Sequence, residues 1–336
     1  MPLSRSAEPH PVAFRHPHPP PLQPTRRDLI SHTELMPTDL ALDEAVRLAA
    51  MAFLRAEALH TGGPVSSIRL REFTYEGQRI PLVNRTGIWK PGFLDAALTI
   101  RTKFEPDLSK RPYRDEPGTD GLMRYKWRGT DGNISDNRAL RTAMQRSSPL
   151  IYLVGIAKGL YEPIFPVFLV DEEPSQHQFV LALTEEERGF AGASLPVVDL
   201  RKYAERVRKE RLHQPVFRSQ VLHAYKSRCS LCHLGHVELI DAAHIQSDAE
   251  NGQPVVTNGI AMCKLHHATF DNRIVGIDAD YRIHIREDIL SEVDGPTLQH
   301  SIKALHGNKI TLPSPRTAYP DRNLLDARFE QFSQAG

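Results

Sequence analysis

Cys229-x-x-Cys232 and Cys263-x-x-His266 place two pairs of metal-ligand residues on tight turns about 30 residues apart. Together they supply the four N and S ligands that a tetrahedral structural zinc ion, Zn2+, requires. The two pairs use all three cysteines of the chain. An odd count, two of them three positions apart, suits a metal site better than disulfides in an intracellular protein; buried thiols are the plainer alternative. Between the pairs lie Asp241-Ala-Ala-His244-Ile and Asn258-Gly-Ile, and directly after them come His267 and Asp271. His267 and Asp271, at i and i+4 of a helix, face the same way and can share a divalent ion. A neutral imidazole such as His244 is a competent base near physiological pH. The amide of Asn258 offers no acid–base chemistry, only hydrogen bonds that fix a loop or an imidazole.

The order His244, Asn258, His267, threaded through the cysteine frame, resembles the HNH, or ββα-metal, endonucleases. The phrase Ala-Ala-His-Ile, Thr-Asn-Gly-Ile, Leu-His-His, Phe-Asp resembles the restriction-type branch of that family, over about 70 residues. The resemblance implies that His244 takes a proton from the water attacking a phosphodiester, and that His267 and Asp271 hold the catalytic ion. A divalent ion would offset the negative charge developing on the phosphate and the leaving oxygen. A nitrogen ligand beside a carboxylate favours Mn2+, Co2+ or Ni2+ at least as much as Mg2+. The chain departs from the family at Ala243, where many members carry an acidic or histidine ligand. The nearest carboxylate is Asp241.

These residues need strands and a helix to position them, and the surrounding pattern supplies six segments. Residues 1–36, rich in proline and histidine, read as a disordered tail. Residues 37–62 carry helical spacing at Leu42, Val46, Ala49, Ala50 and Phe53 behind a Thr38 cap. Residues 63–190 hold short apolar runs, Ile80–Val83, Leu98–Ile100, Leu150–Val154 and Val167–Val170, that read as strands, with a helix capped by Asp136 or Asn137. Residues 191–214 form a basic linker helix with Arg201, Lys202, Arg206, Arg208, Lys209 and Arg211, either a solvated face or a phosphate contact. Residues 215–290 hold the HNH segment, and 291–336 a C-terminal extension.

Within residues 63–190, Tyr113, Asp115, Glu116, the Asp120-Gly121 turn, Tyr125, Gly129 and Asn137-x-x-Leu140 resemble the SRA, or YDG, domain. That resemblance implies a PUA-like β-barrel that flips a modified cytosine into a pocket. Tyr113 and Tyr125 would stack on the base, Asp115 or Glu116 would accept from its amino group, and Trp89, Lys90, Lys126 and Arg128 would line the DNA face.

The expected fold is therefore α+β, an SRA-like barrel joined to a zinc-stabilised ββα-metal domain. The expected partner is double-stranded DNA carrying 5-methylcytosine or 5-hydroxymethylcytosine, with a homodimer favoured for cutting both strands. Other readings are a phosphorothioate mark, an unmodified sequence, or a non-catalytic DNA reader with a zinc knuckle. The net charge of +1 requires any nucleic-acid surface to be local. No apolar run approaches membrane-spanning length and the N-terminus lacks a signal-peptide pattern, so a cytoplasmic protein with no membrane partner is expected.

Overall fold

The first helix starts one residue later than the spacing predicts, because Asp39 is the cap: its carboxylate accepts from the backbone N–H of Ala41 and Leu42. The computed structural model describes residues 39–105, 117–190 and 197–335. Thr38, the Pro-rich stretch 1–36 and the candidates Tyr113, Asp115 and Glu116 lie outside the described residues. Helix α1, Leu40–Thr61, ends on Gly62 in the left-handed region. Its Arg47, 2 % exposed, pairs with Asp43 at 2.7 Å and donates to the carbonyls of Ala97 and Pro149. The ion pair lies within the helix, and the two carbonyl bonds tie α1 to the rest of the fold. Arg47→Met is expected to destabilise the fold by about 3–5 kcal/mol, because it strands a buried carboxylate and two carbonyls. Urea unfolding reads the loss, and a change under about 1 kcal/mol would show that the sheet holds α1 without the pair.

Seven strands form the main sheet: β1 Val65–Ser66, β4 Ile88–Trp89, β5 Thr99–Thr102, β6 Met123–Lys126, β7 Leu150–Ala157, β8 Leu160–Glu173 and β9 Gln178–Ala182. A small ribbon, β2 Thr74–Tyr75 with β3 Gln78–Arg79, stands apart. The sheet runs β4-β5-β7-β8-β9-β6, with β1 added on β8, and only β5 and β7 pair in parallel. The sheet is curled. Tyr125 on β6 donates its hydroxyl to the carbonyl of Gly87, just before β4, at 3.3 Å or of Arg101 on β5 at 3.2 Å. The two ends of the sheet therefore approach through a side chain, and no ladder joins β6 to β4 among the described residues.

Two local readings are corrected. Ile80–Val83 is buried but irregular, not a strand; an apolar run signals burial, and strand formation needs a partner as well. Helices α2, Ser67–Leu70, and α3, Ser135–Gln145, follow β1 and β6, and α3 is preceded by Ile134 without a side-chain cap. Asn137 sits inside α3, fully buried, where its amide accepts from the backbone N–H of Arg128 and donates to the carbonyls of Arg128 and Asp131. Its role is to pin the loop after β6.

After α4, Glu185–Phe190, the basic segment is helical and does not stop where a linker was expected to end. It runs as α5, Val197–Arg208, a π-helical turn Lys209–His213, and α6, Gln214–Ala224. The Asp120-Gly121 turn is its seat. Gly121 has φ +86°, and a Cβ there would lie 3.1 Å from that of Ala204, so both the backbone and the close approach require glycine. Arg208 then donates to the Gly121 carbonyl and Arg211 to that of Phe165.

The C-terminal half pairs β10, Ile240–His244, antiparallel with β11, Gly259–Cys263, followed by α7, Lys264–Asp271. Strands β12, Val275–Ile277, and β13, Ile283–Ile285, close the core, with α8 Glu287–Ser291, α9 Pro296–Ser301 and α10 Arg322–Ser333 around it. One apolar cluster runs from Phe217 to Leu325, so Ile302, Ile310 and Leu325 of the expected extension are part of this core. Arg218 on α6 joins the two halves, donating to the carbonyls of Gly62, Val237 and Ile240. Beside it the buried Glu162 carboxyl, pushed up to about 7 by desolvation, accepts from the Ser219 hydroxyl. No helix among the described residues is long and apolar enough to cross a membrane.

Candidate active site

Antiparallel register places His244, the last residue of β10, opposite Gly259, the first of β11. Asn258 is therefore adjacent to the strand end that carries His244. It is 1 % exposed. Its Oδ1 accepts from the Gln246 N–H at 2.9 Å, and its Nδ2 donates to the carbonyls of Gln246 and Gln253, both at 3.0 Å. One amide thus clamps both ends of the loop that follows His244. Gly259 lets α6 close over it, since a Cβ there would come within 2.4 Å of Val221 and 2.9 Å of Phe217.

The His244 ring stacks on Phe217 with centroids 4.0 Å apart. Its Nε2 is buried without a hydrogen-bond partner, an arrangement that demands an explanation in a folded protein. Burial pushes the His244 imidazole below its ordinary range; Asp248 and Asp271 oppose that shift, and His267 and Lys209 reinforce it. The neutral form therefore dominates at pH 7, and only as pH falls through this lowered pKa is the base lost. Cleavage is expected to show an acid limb below pH ~6.5, the usual imidazole value. A pH–rate profile checks this, and a limb above pH ~7 would contradict it.

On α7, His267 Nε2 and Asp271 Oδ2 lie 3.3 Å apart. Two ligands on one ion at about 2.1 Å are separated by about 3.0–3.4 Å, so this pair fits a shared divalent cation. The other oxygen of Asp271 is 3.7 Å from Arg328 on α10. Asp241 is placed differently. Strand alternation puts it on the opposite face of β10 from His244, where it pairs with Lys264 at 2.7 Å and Arg218 at 3.5 Å. Burial works against its charge, yet those two cations hold its carboxyl below the usual range. Asp241 therefore does not replace the acidic ligand absent at Ala243.

Behind α7 the ligand atoms of Cys229, Cys232, Cys263 and His266 lie within 4.8 Å of one another, the only such group of three or more among the described residues. His266 Nδ1 is 3.3 Å from the Cys229 sulfur and 3.2 Å from that of Cys263, and the Cys232 and Cys263 sulfurs are 4.0 Å apart. Tetrahedral zinc at ordinary bond lengths gives about 3.5 Å for N···S and about 3.8 Å for S···S. His266 Nε2 sits 2.7 Å from the Ser301 carbonyl; donating there fixes the tautomer that leaves the Nδ1 lone pair on the cluster. The four residues can hold a tetrahedral ion.

The reader candidates are dispersed. Tyr125 is 7 % exposed and meets Tyr152 edge-on at 6.2 Å. Trp89 is partly buried on β4, and Lys90 donates to the Leu94 carbonyl. Lys126 is hydrogen bonded to Gln178, and Arg128 pairs with Asp136 at 2.9 Å. Three residues sit against His244 that the sequence did not place there: Phe217, Asp248 and Lys209. Asp248 lies four residues past His244 in the clamped loop, a spacing that offered a signal; the other two are brought in only by the packing of α6 and the π-helical turn.

Residues 229–278 match the family model for the HNH endonuclease. This segment contains the cysteine frame, His244, Asn258, His267 and Asp271. No curated protein matches the chain. Among solved structures, the chain is similar to a modification-dependent restriction endonuclease, TagI, at 16 % identity, covering 70 % of this chain and 82 % of that one, with a TM-score of 0.27. It is also similar to a type IV phosphorothioation-dependent restriction endonuclease, ScoMcrA, at 15 % identity, covering 55 % and 49 %, with a TM-score of 0.20. Residues 229–278 thus carry an HNH endonuclease domain, and the chain is an endonuclease.

Proposed function

We propose that the chain is a modification-dependent restriction endonuclease: an N-terminal reader finds 5-methylcytosine or 5-hydroxymethylcytosine, and His244 activates water for cleavage nearby. The observation that carries the nuclease half is the unpartnered Nε2 of His244 on a strand end clamped by Asn258, beside His267 and Asp271. His244 removes the proton of the attacking water. Phe217 holds the imidazole plane, and Asn258 holds the loop that would otherwise swing across it. A divalent ion at His267 and Asp271, Mn2+, Ni2+, Co2+ or Mg2+, would supply Lewis-acid stabilisation of the charge developing on the phosphate and the leaving oxygen. Cys229, Cys232, Cys263 and His266 would hold structural zinc, keeping α7 and β10 in register.

The reader half is supported by the curled sheet and by the run from Tyr113 to Tyr125, which leads into the strand where the sheet edges meet. Tyr113, Asp115 and Glu116 are assigned to the flipped base, and Tyr125 to the wall beneath it. One HNH centre cuts one strand, so a double-strand break uses two protomers or successive nicks. Binding to matched duplexes carrying 5-methylcytosine, 5-hydroxymethylcytosine, a phosphorothioate or no mark tests this half. Tighter binding to the two cytosine marks, lost in Asp115→Asn with Glu116→Gln, is expected. Tightest binding to the phosphorothioate would reassign the mark, and equal binding to all four would remove the reader and leave the nuclease.

A further inference from the structure

We infer that Lys209 is a DNA-phosphate contact of the nuclease centre, presented to it by the π-helical turn between α5 and α6. This rests on the nuclease reading above. The basic residues of the linker do not act alike. Arg208 and Arg211 are spent on the carbonyls of Gly121 and Phe165, and Leu212 is buried in the N-terminal core. Arg201 pairs with Glu205 within α5, and Arg206 lies over the Tyr203 ring. Lys209 turns the other way: its ammonium is 3.2 Å from Asp248, in the loop clamped by Asn258. Its charge bears on the His244 imidazole, and that of Asp248 on both His244 and His213.

The π-helical turn explains the division. The wider turn shifts the phase of the helix, and such turns concentrate at functional sites. Here it lets Arg208, Arg211 and Leu212 grip the N-terminal half while Lys209, His213 and Phe217 face the end of β10. The Lys209 side chain is 42 % exposed and that of Asp248 28 %, so the pair is open to solvent and exchangeable. A backbone phosphate entering beside His244 meets the Asp248 carboxylate, which the divalent ion proposed at His267 and Asp271 does not bind, and Lys209 is the cation beside it. The phosphate takes the place of the Asp248 carboxylate on the Lys209 ammonium, and Asp248 keeps that ammonium extended until DNA arrives.

The test uses the full chain and one duplex of fixed sequence, with binding measured over a salt series without divalent metal and cleavage measured with Mn2+. Lys209→Ala is expected to lower cleavage about tenfold or more and to make the log–log salt slope of binding shallower by about one. Lys209→Arg is expected to restore both to within about threefold, and Arg201→Ala to match wild type within about twofold. Asp248→Asn, which removes the competing carboxylate, should bind DNA at least as tightly as wild type. A wild-type salt slope for Lys209→Ala, or for Lys209→Gln should the alanine variant melt early, overturns the inference. An altered slope in a protein that cuts no DNA would keep the phosphate contact and remove the nuclease reading instead.

Discussion

Replacing His244 by alanine is expected to leave DNA bound and uncut. Loss of a positioned general base lowers a rate by about 10^2- to 10^4-fold, and single-turnover cleavage in Mn2+ isolates that step from product release. Affinity should stay within about twofold, because the mechanism gives His244 a proton to take and no phosphate to hold. The variant also loses the stack on Phe217, so its melting temperature belongs beside the rate. His244→Gln retains a polar side chain without the base and should be as inactive. Activity within about tenfold of wild type in a folded His244→Ala protein would refute the base assignment.

The second large effect concerns the frame behind the site. Cys229, Cys263 and His266 are buried, and a hydrogen bond from the Cys263 thiol favours a thiolate at Cys229. Four ligand atoms converge there without an apolar filling, so folding of this half should depend on the ion they hold. Structural zinc contributes about 10–16 kcal/mol of apparent binding free energy in small domains at neutral pH. Cys263→Ser is expected to drop the metal content from one zinc per chain to none, melt the Phe217–Leu325 core and abolish cleavage. The N-terminal sheet should keep its own transition, since its apolar clusters are separate. Absence of zinc from the wild-type chain, with an unchanged melting curve for the variant, would show that the cysteines serve only as buried thiols.

The site was legible in the sequence where its chemistry is local. Each ligand pair of the frame, and His267 with Asp271, is fixed by turn or helix spacing, whereas the two cysteine pairs meet only through the β10–β11 pairing. His244 and Asn258 depend on one antiparallel pairing, and the family order supplied it. Phe217 and Lys209 were not legible, because each reaches His244 through tertiary packing of a helix whose phase is set by a π-helical turn. Basic residues gave no sign of their division either: Arg208 and Lys209 are neighbours in sequence and face opposite halves of the protein. Apolar runs were read well where a partner strand exists, as at Leu150–Val154, and wrongly at Ile80–Val83, which is buried as irregular chain. Asn137 was expected at a helix end and instead sits inside α3, where its buried amide pins the loop after β6, a role that no local propensity distinguishes from a cap.

Cleavage of matched plasmids, unmodified, 5-methylcytosine-containing and 5-hydroxymethylcytosine-containing, by wild type and His244→Ala in Mn2+ tests the central claim most directly. Cutting confined to the modified plasmids and absent in the variant is expected. No cutting of any plasmid by the folded, metal-replete wild-type chain would contradict it.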